Sequence, residues 1–177
     1  LNHVALILDG NRRWAAARGL PVIEGYKLGA NRVKDTISYA IQKKLRIVTM
    51  YFFSTENWVR DPHEVGALFS FMHDFLGEHL PSLVEQGVRI CILGRLDRLP
   101  LFLKKSVEDA VDKTSQGRAM DLNIALDYGG RDEILRAVAK INRSYSGDFH
   151  LLNEQHFSQY LDLPQMPDPD LCNKNRW

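Results

Sequence analysis

The sequence predicts an α/β fold, a single domain with a mostly parallel central sheet flanked by helices. Strand-like apolar runs alternate with segments of helical spacing, which is the rhythm of a parallel sheet. Polar motifs follow three of those runs, and 45% of the 177 residues are hydrophobic. This length and composition suit one globular domain with a substantial core, so residues 1–177 are expected to form a single domain.

Short apolar runs bounded by turn residues predict four strands. They are Val4–Leu8, Ile47–Phe53, Val88–Leu93 and Leu122–Asp127. The residues that follow Gly10 are typical of the first turns of a helix. The sequence therefore places a chemically distinctive turn between the first strand and the first helix.

Two amphipathic helices are predicted between the first three strands. Apolar residues between Ala30 and Ile41 recur at helical spacing, and Lys43 and Lys44 suit the C-terminal end of that helix. The second helix runs from Val65 through Pro81 with a Phe, Leu and Met stripe on one face. Such a stripe is more often ordinary core than the wall of a ligand tunnel.

The residues after the first strand suit a metal-assisted phosphate site. They are Asp9, Gly10, Asn11, Arg12, Arg13 and Trp14. Glycine lets the backbone approach a diphosphate closely, arginine can clamp its oxygens, and a carboxylate can hold a hard cation such as Mg²⁺. From residue types alone, the alternative is a solvated helix start that Asp9 merely caps.

Polar motifs also follow the second and fourth strands, at Ser54–Arg60 and Tyr128–Arg131. Ligands of open α/β sheets bind beyond the carboxyl ends of the strands, so one crevice can gather all three motifs. Each motif also has a structural interpretation. Trp14 and Trp58 suit core packing, and Arg60 suits a surface ion pair. Ser54–Glu56 can simply cap a helix or form a turn, and Tyr128–Gly130 can supply only a backbone turn.

The three motifs together resemble the signatures of the cis-prenyltransferases, the undecaprenyl diphosphate synthase family. The similar blocks are His3–Trp14, Phe53–Arg60 and Leu122–Ile134. The resemblance runs from about His3 to Leu171. It implies a substrate tunnel between the sheet and the long helices.

The resemblance implies a transferase that condenses an allylic diphosphate with isopentenyl diphosphate. The products would be a cis prenyl diphosphate and free diphosphate. Asp9 matches the family's Mg²⁺ ligand, and Asn57 matches a position usually assigned to proton transfer, although an amide is a poor base. The remaining residues implied in substrate binding are Gly10, Asn11, Arg12, Arg13, Trp14, Tyr26, Ser54, Thr55, Glu56, Trp58 and Arg60. The family also implies a homodimer and a peripheral membrane contact through the lipid product.

The chain departs from the bacterial family pattern at two positions after the first motif. Val22 and Tyr26 stand where bacterial members usually carry Arg and His. Plant-type members often resemble the Gly-Leu-Pro-Val segment found here at 19–22, and Tyr26 retains a hydroxyl that can donate to phosphate. The expected location is therefore the cytoplasm or the plastid stroma.

The family pattern is lost after about residue 171, where the chain continues from Cys172 to Trp177. The family's block at this point supplies an isopentenyl diphosphate clamp and a carboxylate metal ligand. The preferred interpretation is a truncated or incompletely represented form of a longer enzyme. Arg176 could partly replace the clamp, but nothing in its sequence context supports that role. One alternative is a shortened, inactive member that binds allylic diphosphate or serves as a partner subunit. Another is an unrelated α/β phosphate-binding protein.

Composition excludes several other classes. The formal net charge of +1 gives no overall basic field, so nucleic acid is not an expected partner. Cys91 and Cys172 form neither a disulfide framework nor a metal-binding spacing, which favours a reducing compartment. No apolar run approaches the roughly 20 residues that a membrane helix needs.

Overall fold

Five strands form one parallel sheet in the computed structural model, which describes residues 1–145 and 149–174. They are β1 His3–Ile7, β2 Ile47–Ser54, β3 Val88–Gly94, β4 Met120–Tyr128 and β5 Leu171–Lys174. The strand order is β3-β4-β2-β1-β5, and every neighbouring pair is parallel. The predicted α/β fold is confirmed. The four predicted strands all form, with small shifts at their ends.

The fifth strand, β5, was not predicted. It pairs with β1 at the edge of the sheet, with Leu171 opposite Val4 and Cys172 opposite Ala5. Its sequence is short and partly polar, so no apolar run marked it. The carboxylate of Asp170 accepts the backbone N–H of His3 at 2.9 Å and fixes the start of this pairing. Arg176 lies outside the described residues.

Six α-helices and two 3-10 helices connect these strands in the part of the chain that the structure describes. The α-helices are α1 Asn11–Ala16, α2 Val22–Gln42, α3 Pro62–Glu85, α4 Leu101–Thr114, α5 Gly130–Ser144 and α6 Glu154–Ser158. The 3-10 helices span Thr55–Val59 and Phe149–Leu151. The long helices α2 and α3 both begin several residues earlier than the apolar periodicity predicted.

The start of α3 has a clear physical cause. The side chain of Asp61 accepts the backbone N–H groups of His63 and Glu64 at 2.8 and 3.2 Å, which satisfies two donors at the helix start. Pro62 occupies the first helical position, where its missing N–H costs nothing. Glu64 therefore sits in a fixed first turn.

The hydrophobic core joins α2, α3 and α4 to the sheet. Buried members include Val33 and Ile37 of α2, Leu68, Phe69, Met72 and Leu76 of α3, Leu103 and Val107 of α4, and Met50, Ile90, Leu122 and Ile124 of the sheet. The Phe, Leu and Met stripe of α3 thus packs against the sheet, as amphipathic periodicity indicated.

Over residues 1–145 and 149–174, the structure contains no helix with the length and hydropathy to cross a bilayer. Cys91 and Cys172 are both free thiols, in agreement with the expectation that they form no disulfide. Burial raises the pKa of the Cys91 thiol.

Candidate active site

A cavity of about 1050 Å³ extends from the carboxyl ends of β1 and β2 into the space beneath α2 and α3. Its polar end is lined by Asp9, Gly10, Asn11, Arg12, Arg13, Trp14, Tyr26, Ser54, Asn57 and Arg60. Its apolar part is lined by side chains that include Leu6, Ile37, Phe71, Phe75, Leu83, Ile90, Val107, Leu122 and Ile124. The volume suits a sizeable ligand. A ligand with a charged head and an apolar tail would match both parts.

Gly10 makes the turn from β1 into α1. Its φ is 105°, in the left-handed region where a side chain would strain the backbone. The turn leaves Asp9 at the carboxyl end of the strand and starts the helix at Asn11. The predicted strand, turn and helix are therefore all present at the first motif.

Asn11 is held by two glycines of α2 that sequence reasoning did not single out. A Cβ atom on Gly25 would lie 2.3 Å from the backbone oxygen of Asn11, and one on Gly29 would lie 2.8 Å from its side-chain amide. Only glycine permits such close helix packing. The available signal was their spacing of four, which places both on one face of a helix.

Asp9 and Arg13 form an ion pair of 3.2 Å at the polar end of the cavity. Their side chains are 37% and 61% exposed, so both are open to a ligand. Among the described residues, no three His, Cys, Asp or Glu side chains group closely enough to hold a metal alone. One carboxylate beside clustered arginines nevertheless fits Mg²⁺, which commonly takes one or two carboxylates together with substrate phosphates and water.

Glu64 of α3 joins three cavity-lining side chains. Its Oε1 atom accepts the hydroxyl of Tyr26 at 2.9 Å, and it lies 3.3 Å from the Nε atom of Arg12 and 3.6 Å from the Nη1 atom of Arg60. Burial and the bond to Glu64 raise the pKa of Tyr26 to about 12, so this phenol stays protonated near neutral pH. The sequence analysis missed Glu64. Its spacing of four residues from Arg60 could have indicated an ion pair at the start of the second long helix.

The second motif forms a 3-10 helix with a capping box. The Asn57 side-chain oxygen accepts the backbone N–H of Ser54 at 3.1 Å, and the Ser54 side chain accepts the backbone N–H of Asn57. This reciprocal pair leaves the Asn57 amide nitrogen as the side-chain group with donors to offer. Both residues line the cavity.

Thr55, Glu56 and Trp58 do not line this cavity. Trp58 packs edge-on against Phe53 and Phe69, at ring-centroid distances of 5.2 and 5.5 Å. Its ring faces the core because burial of a large apolar surface is favourable. The substrate-binding assignment of these three residues stays a prediction, and their observed contacts are with the protein.

Thr55 and Glu56 each have a separate environment. A Cβ atom on Gly129 would lie 2.4 Å from the Thr55 Oγ1 atom, so Thr55 packs tightly on the turn after β4. Glu56 is exposed, and hydrogen bonds from its own backbone N–H and from Ser54 lower its pKa.

The third motif carries a buried carboxylate that sequence reasoning did not assign. Asp127 has no exposed surface and accepts Arg98 through two bonds of 2.5 and 2.7 Å. Its φ of 50° is unusual for a residue other than glycine. The next residue, Tyr128, donates its hydroxyl to Glu133 at 2.8 Å. These contacts give the motif a structural role, as its turn residues indicated.

The chain matches a family model described as "Putative undecaprenyl diphosphate synthase" over residues 7–174. The chain belongs to the cis-prenyltransferase family. It is therefore a prenyltransferase that makes cis-prenyl diphosphates, and the alternative of an unrelated phosphate-binding protein is excluded. The match also extends past Leu171, where the resemblance was expected to stop.

Two relatives of this cis-prenyltransferase support the family membership. It is 44% identical over 169 residues to an isoprenyl transferase of Aquifex aeolicus (strain VF5), covering 96% of this chain and 72% of that one. It is 42% identical over 172 residues to a ditrans,polycis-undecaprenyl-diphosphate synthase of Micrococcus luteus described as (2E,6E)-farnesyl-diphosphate specific, covering 96% and 69%.

A solved structure is closely similar to the fold of this cis-prenyltransferase. The crystal structure of lavandulyl diphosphate synthase from Lavandula x intermedia, in complex with dimethylallyl diphosphate, superposes with a TM-score of 0.93. The two chains are 33% identical, and the match covers 98% of this chain and 76% of the lavender chain. The sheet and the helices described above thus follow the fold of a solved prenyl diphosphate synthase.

Proposed function

We propose that this chain condenses an allylic diphosphate with isopentenyl diphosphate in a Mg²⁺-dependent reaction. The observation that carries the proposal is one cavity that joins charged side chains near the ends of β1 and β2 to a largely apolar interior. Asp9, Arg12, Arg13 and Arg60 stand at the polar end. An allylic diphosphate has the matching division, with a charged head and a hydrocarbon tail.

The arginines would bind and neutralise the diphosphate as it leaves. The bond between the allylic carbon and its oxygen breaks, and a bond forms to the terminal alkene carbon of isopentenyl diphosphate. Negative charge develops on the departing diphosphate, and guanidinium groups held in place stabilise that charge without reorganising. Arg12 and Arg13 lie two and three residues after Gly10, which lets backbone and side chains approach the same anion.

The condensation must also release a proton from isopentenyl diphosphate. Asn57 cannot act as the base, because an amide is not basic near neutral pH and its side-chain oxygen already accepts the Ser54 N–H. Its amide nitrogen can instead orient the substrate. The departing diphosphate is a suitable acceptor for the proton, which balances the reaction as a prenyl diphosphate and a protonated diphosphate.

Asp9 is the proposed Mg²⁺ ligand. A bound Mg²⁺ would neutralise diphosphate oxygens and favour departure of the leaving group. Asp9 suits this role because it lies two residues beyond the end of β1, in the polar end of the cavity and next to the residues proposed to hold diphosphate. Its pairing with Arg13 keeps its carboxylate directed toward the same region.

The proposal includes a homodimer that contacts membranes peripherally through its lipid product. Exposed apolar side chains on α5 support a contact between copies, since Ile134, Leu135 and Val138 are 51%, 69% and 50% exposed. The proposed location, the cytoplasm or the plastid stroma, rests on the cysteine content and on the plant-type segment before α2.

Turnover of labelled isopentenyl diphosphate tests the proposal. The chain is supplied with dimethylallyl, geranyl or farnesyl diphosphate, with Mg²⁺ or with a chelator, and the geometry of the new double bond is determined. Mg²⁺-dependent cis product is expected. Binding of allylic diphosphate without turnover would favour the alternative of an inactive member or partner subunit, and absence of binding would contradict both.

A further inference from the structure

We infer that Glu64 is a positioning residue that holds the diphosphate-binding side chains Arg12, Arg60 and Tyr26 in place, an inference that rests on the function proposed above. Glu64 does not line the cavity, whereas the three side chains that it contacts do. It would therefore act through them and not by touching the substrate.

A single carboxylate oxygen makes all three contacts. The Oε1 atom of Glu64 lies 2.9 Å from the Tyr26 hydroxyl, 3.3 Å from Arg12 Nε and 3.6 Å from Arg60 Nη1. The Tyr26 hydroxyl also lies 3.4 Å from Arg60 Nη1, from which it accepts a hydrogen bond. The four side chains come from α1, α2, α3 and the residue after the 3-10 helix. Glu64 therefore fastens four separate segments at the polar end of the cavity.

The anchor itself is well fixed. Glu64 lies in the first turn of α3, where its backbone N–H donates to Asp61 at 3.2 Å. Its side chain is 17% exposed, against 52% for Arg12 and 27% for Arg60. A partly buried carboxylate on a capped helix can hold a more exposed arginine in one orientation. Fewer arginine rotamers are then lost when the substrate binds, which lowers the entropic cost of binding.

The atoms used in these contacts leave the arginines able to bind an anion. Arg12 approaches Glu64 with Nε, so its two terminal nitrogens keep their donors. Arg60 approaches with one terminal nitrogen and keeps the other. Tyr26 directs its only O–H to Glu64, which replaces its expected role as a phosphate donor with a role in the cluster.

Positioning and simple charge make opposite predictions for the loss of Glu64. If the carboxylate acts only as a nearby negative charge, its removal should strengthen anion binding. If it orders the arginines, its removal should weaken binding although the local charge becomes more positive. The sign of the change therefore separates the two accounts.

The test is calorimetric titration of inorganic diphosphate into the wild-type chain, Glu64→Ala and Glu64→Gln at one salt concentration. We expect about tenfold weaker binding for Glu64→Ala, the scale of one charged hydrogen bond. Glu64→Gln should lose less, because its amide oxygen still accepts a hydrogen bond. Glu24→Gln is the matched control, since it also removes one negative charge but from a carboxylate paired with Lys27.

Three further measurements separate a positioning role from a general loss of structure. Thermal unfolding identifies a variant that fails to fold, and Glu64→Gln keeps the test valid if Glu64→Ala is lost. With active enzyme, KM for the allylic diphosphate should rise several-fold more than kcat falls. In an Arg12→Ala, Arg60→Ala background, Glu64→Ala should have little further effect on diphosphate binding.

Unchanged or tighter diphosphate binding in both Glu64 variants would overturn the inference. The inference would also be overturned if Glu64→Ala weakened diphosphate binding as strongly in the Arg12→Ala, Arg60→Ala background as in the wild-type chain. Failure of the proposed function would look different, because the wild-type chain itself would then bind neither inorganic nor allylic diphosphate.

Discussion

The indole Nε1 of Trp58 donates a hydrogen bond of 2.7 Å to the Oδ1 atom of Asp127, a carboxylate with no exposed surface. This bond ties the second motif to the end of β4. Arg98 supplies the compensating charge and also stacks over the Trp58 ring at 5.5 Å from its centroid. A buried carboxylate requires such partners because desolvation of an unpaired charge is costly.

Trp58→Phe should destabilise the fold while leaving diphosphate binding within about twofold of wild type. The variant keeps the aromatic packing but removes the N–H donor, at a cost of about 1.5–3 kcal/mol in unfolding free energy for a hydrogen bond to a charged group. Denaturant unfolding and diphosphate calorimetry measure the two effects. A large loss of affinity at unchanged stability would instead support the substrate-binding assignment from the family resemblance.

Asp9→Ala should abolish turnover and preserve the fold. Asp9 lies just beyond the end of β1 with a side chain that is 37% exposed, so its removal leaves no cavity in the core. Product assays and circular dichroism separate the two effects. Asp109→Ala, which removes an exposed carboxylate from α4, is the control and should retain activity. An unfolded Asp9→Ala chain would contradict the proposed role.

Arg12→Ala and Arg13→Ala should each weaken allylic diphosphate binding by about 1.5–3 kcal/mol, the scale of a charged hydrogen bond. Calorimetry with dimethylallyl diphosphate gives the affinities. Arg118→Ala removes an exposed arginine that bonds to backbone oxygens at the end of α4, and should leave affinity unchanged. Unchanged affinity in both Arg12 and Arg13 variants would remove them from the diphosphate site.

Asp162→Asn should lose stability at neutral pH, and the difference from wild type should shrink in acid. Burial alone raises the pKa of Asp162, but bonds from Arg136 and the Gly94 N–H outweigh it and hold the pKa below its ordinary 3.8. The folded state thus binds this proton less readily than the unfolded state. Its stabilising contribution is present above pH 3.8 and is lost as pH falls through the lowered value.

The prediction for Asp162→Asn is tested by measuring the unfolding free energies of this variant and of wild type from neutral pH to below pH 3.8. Asp109→Asn provides an exposed carboxylate for comparison and should change stability by less than about 0.5 kcal/mol at any pH. A difference between wild type and Asp162→Asn that stays constant into acid would contradict the proposed linkage.

Much of the fold was predictable because it depends on local patterns. The apolar runs at β1 to β4 are long enough to mark buried strands, and the α3 stripe has clear helical spacing. β5 lacked such a pattern, since Leu171–Lys174 becomes a strand through hydrogen bonds to β1. The early start of α2 at Val22 was missed because Gly25 and Gly29, residues that are unfavourable in helix interiors, fall within its first turns.

The candidate site was predictable where residues close in sequence share one function. Asp9 to Trp14 span the turn after β1 and the start of α1, and the convergence of strand ends placed Ser54 and Asn57 near them. Glu64 and Asp127 were missed because their importance depends on partners far along the chain, such as Arg12 and Trp58. Only the folded structure brings those partners together.

The packing of Asn11 on Gly25 and Gly29 has a consequence for engineering the product range of the enzyme. A combinatorial library aimed at the apolar part of the cavity can vary half-buried side chains such as Phe71 and Phe75. The same library should keep both glycines fixed, because a side chain at Gly25 would collide with the Asn11 backbone and one at Gly29 would displace the Asn11 side-chain amide. Selectivity for the hydrocarbon can then be altered independently of the residues proposed to bind the charged head.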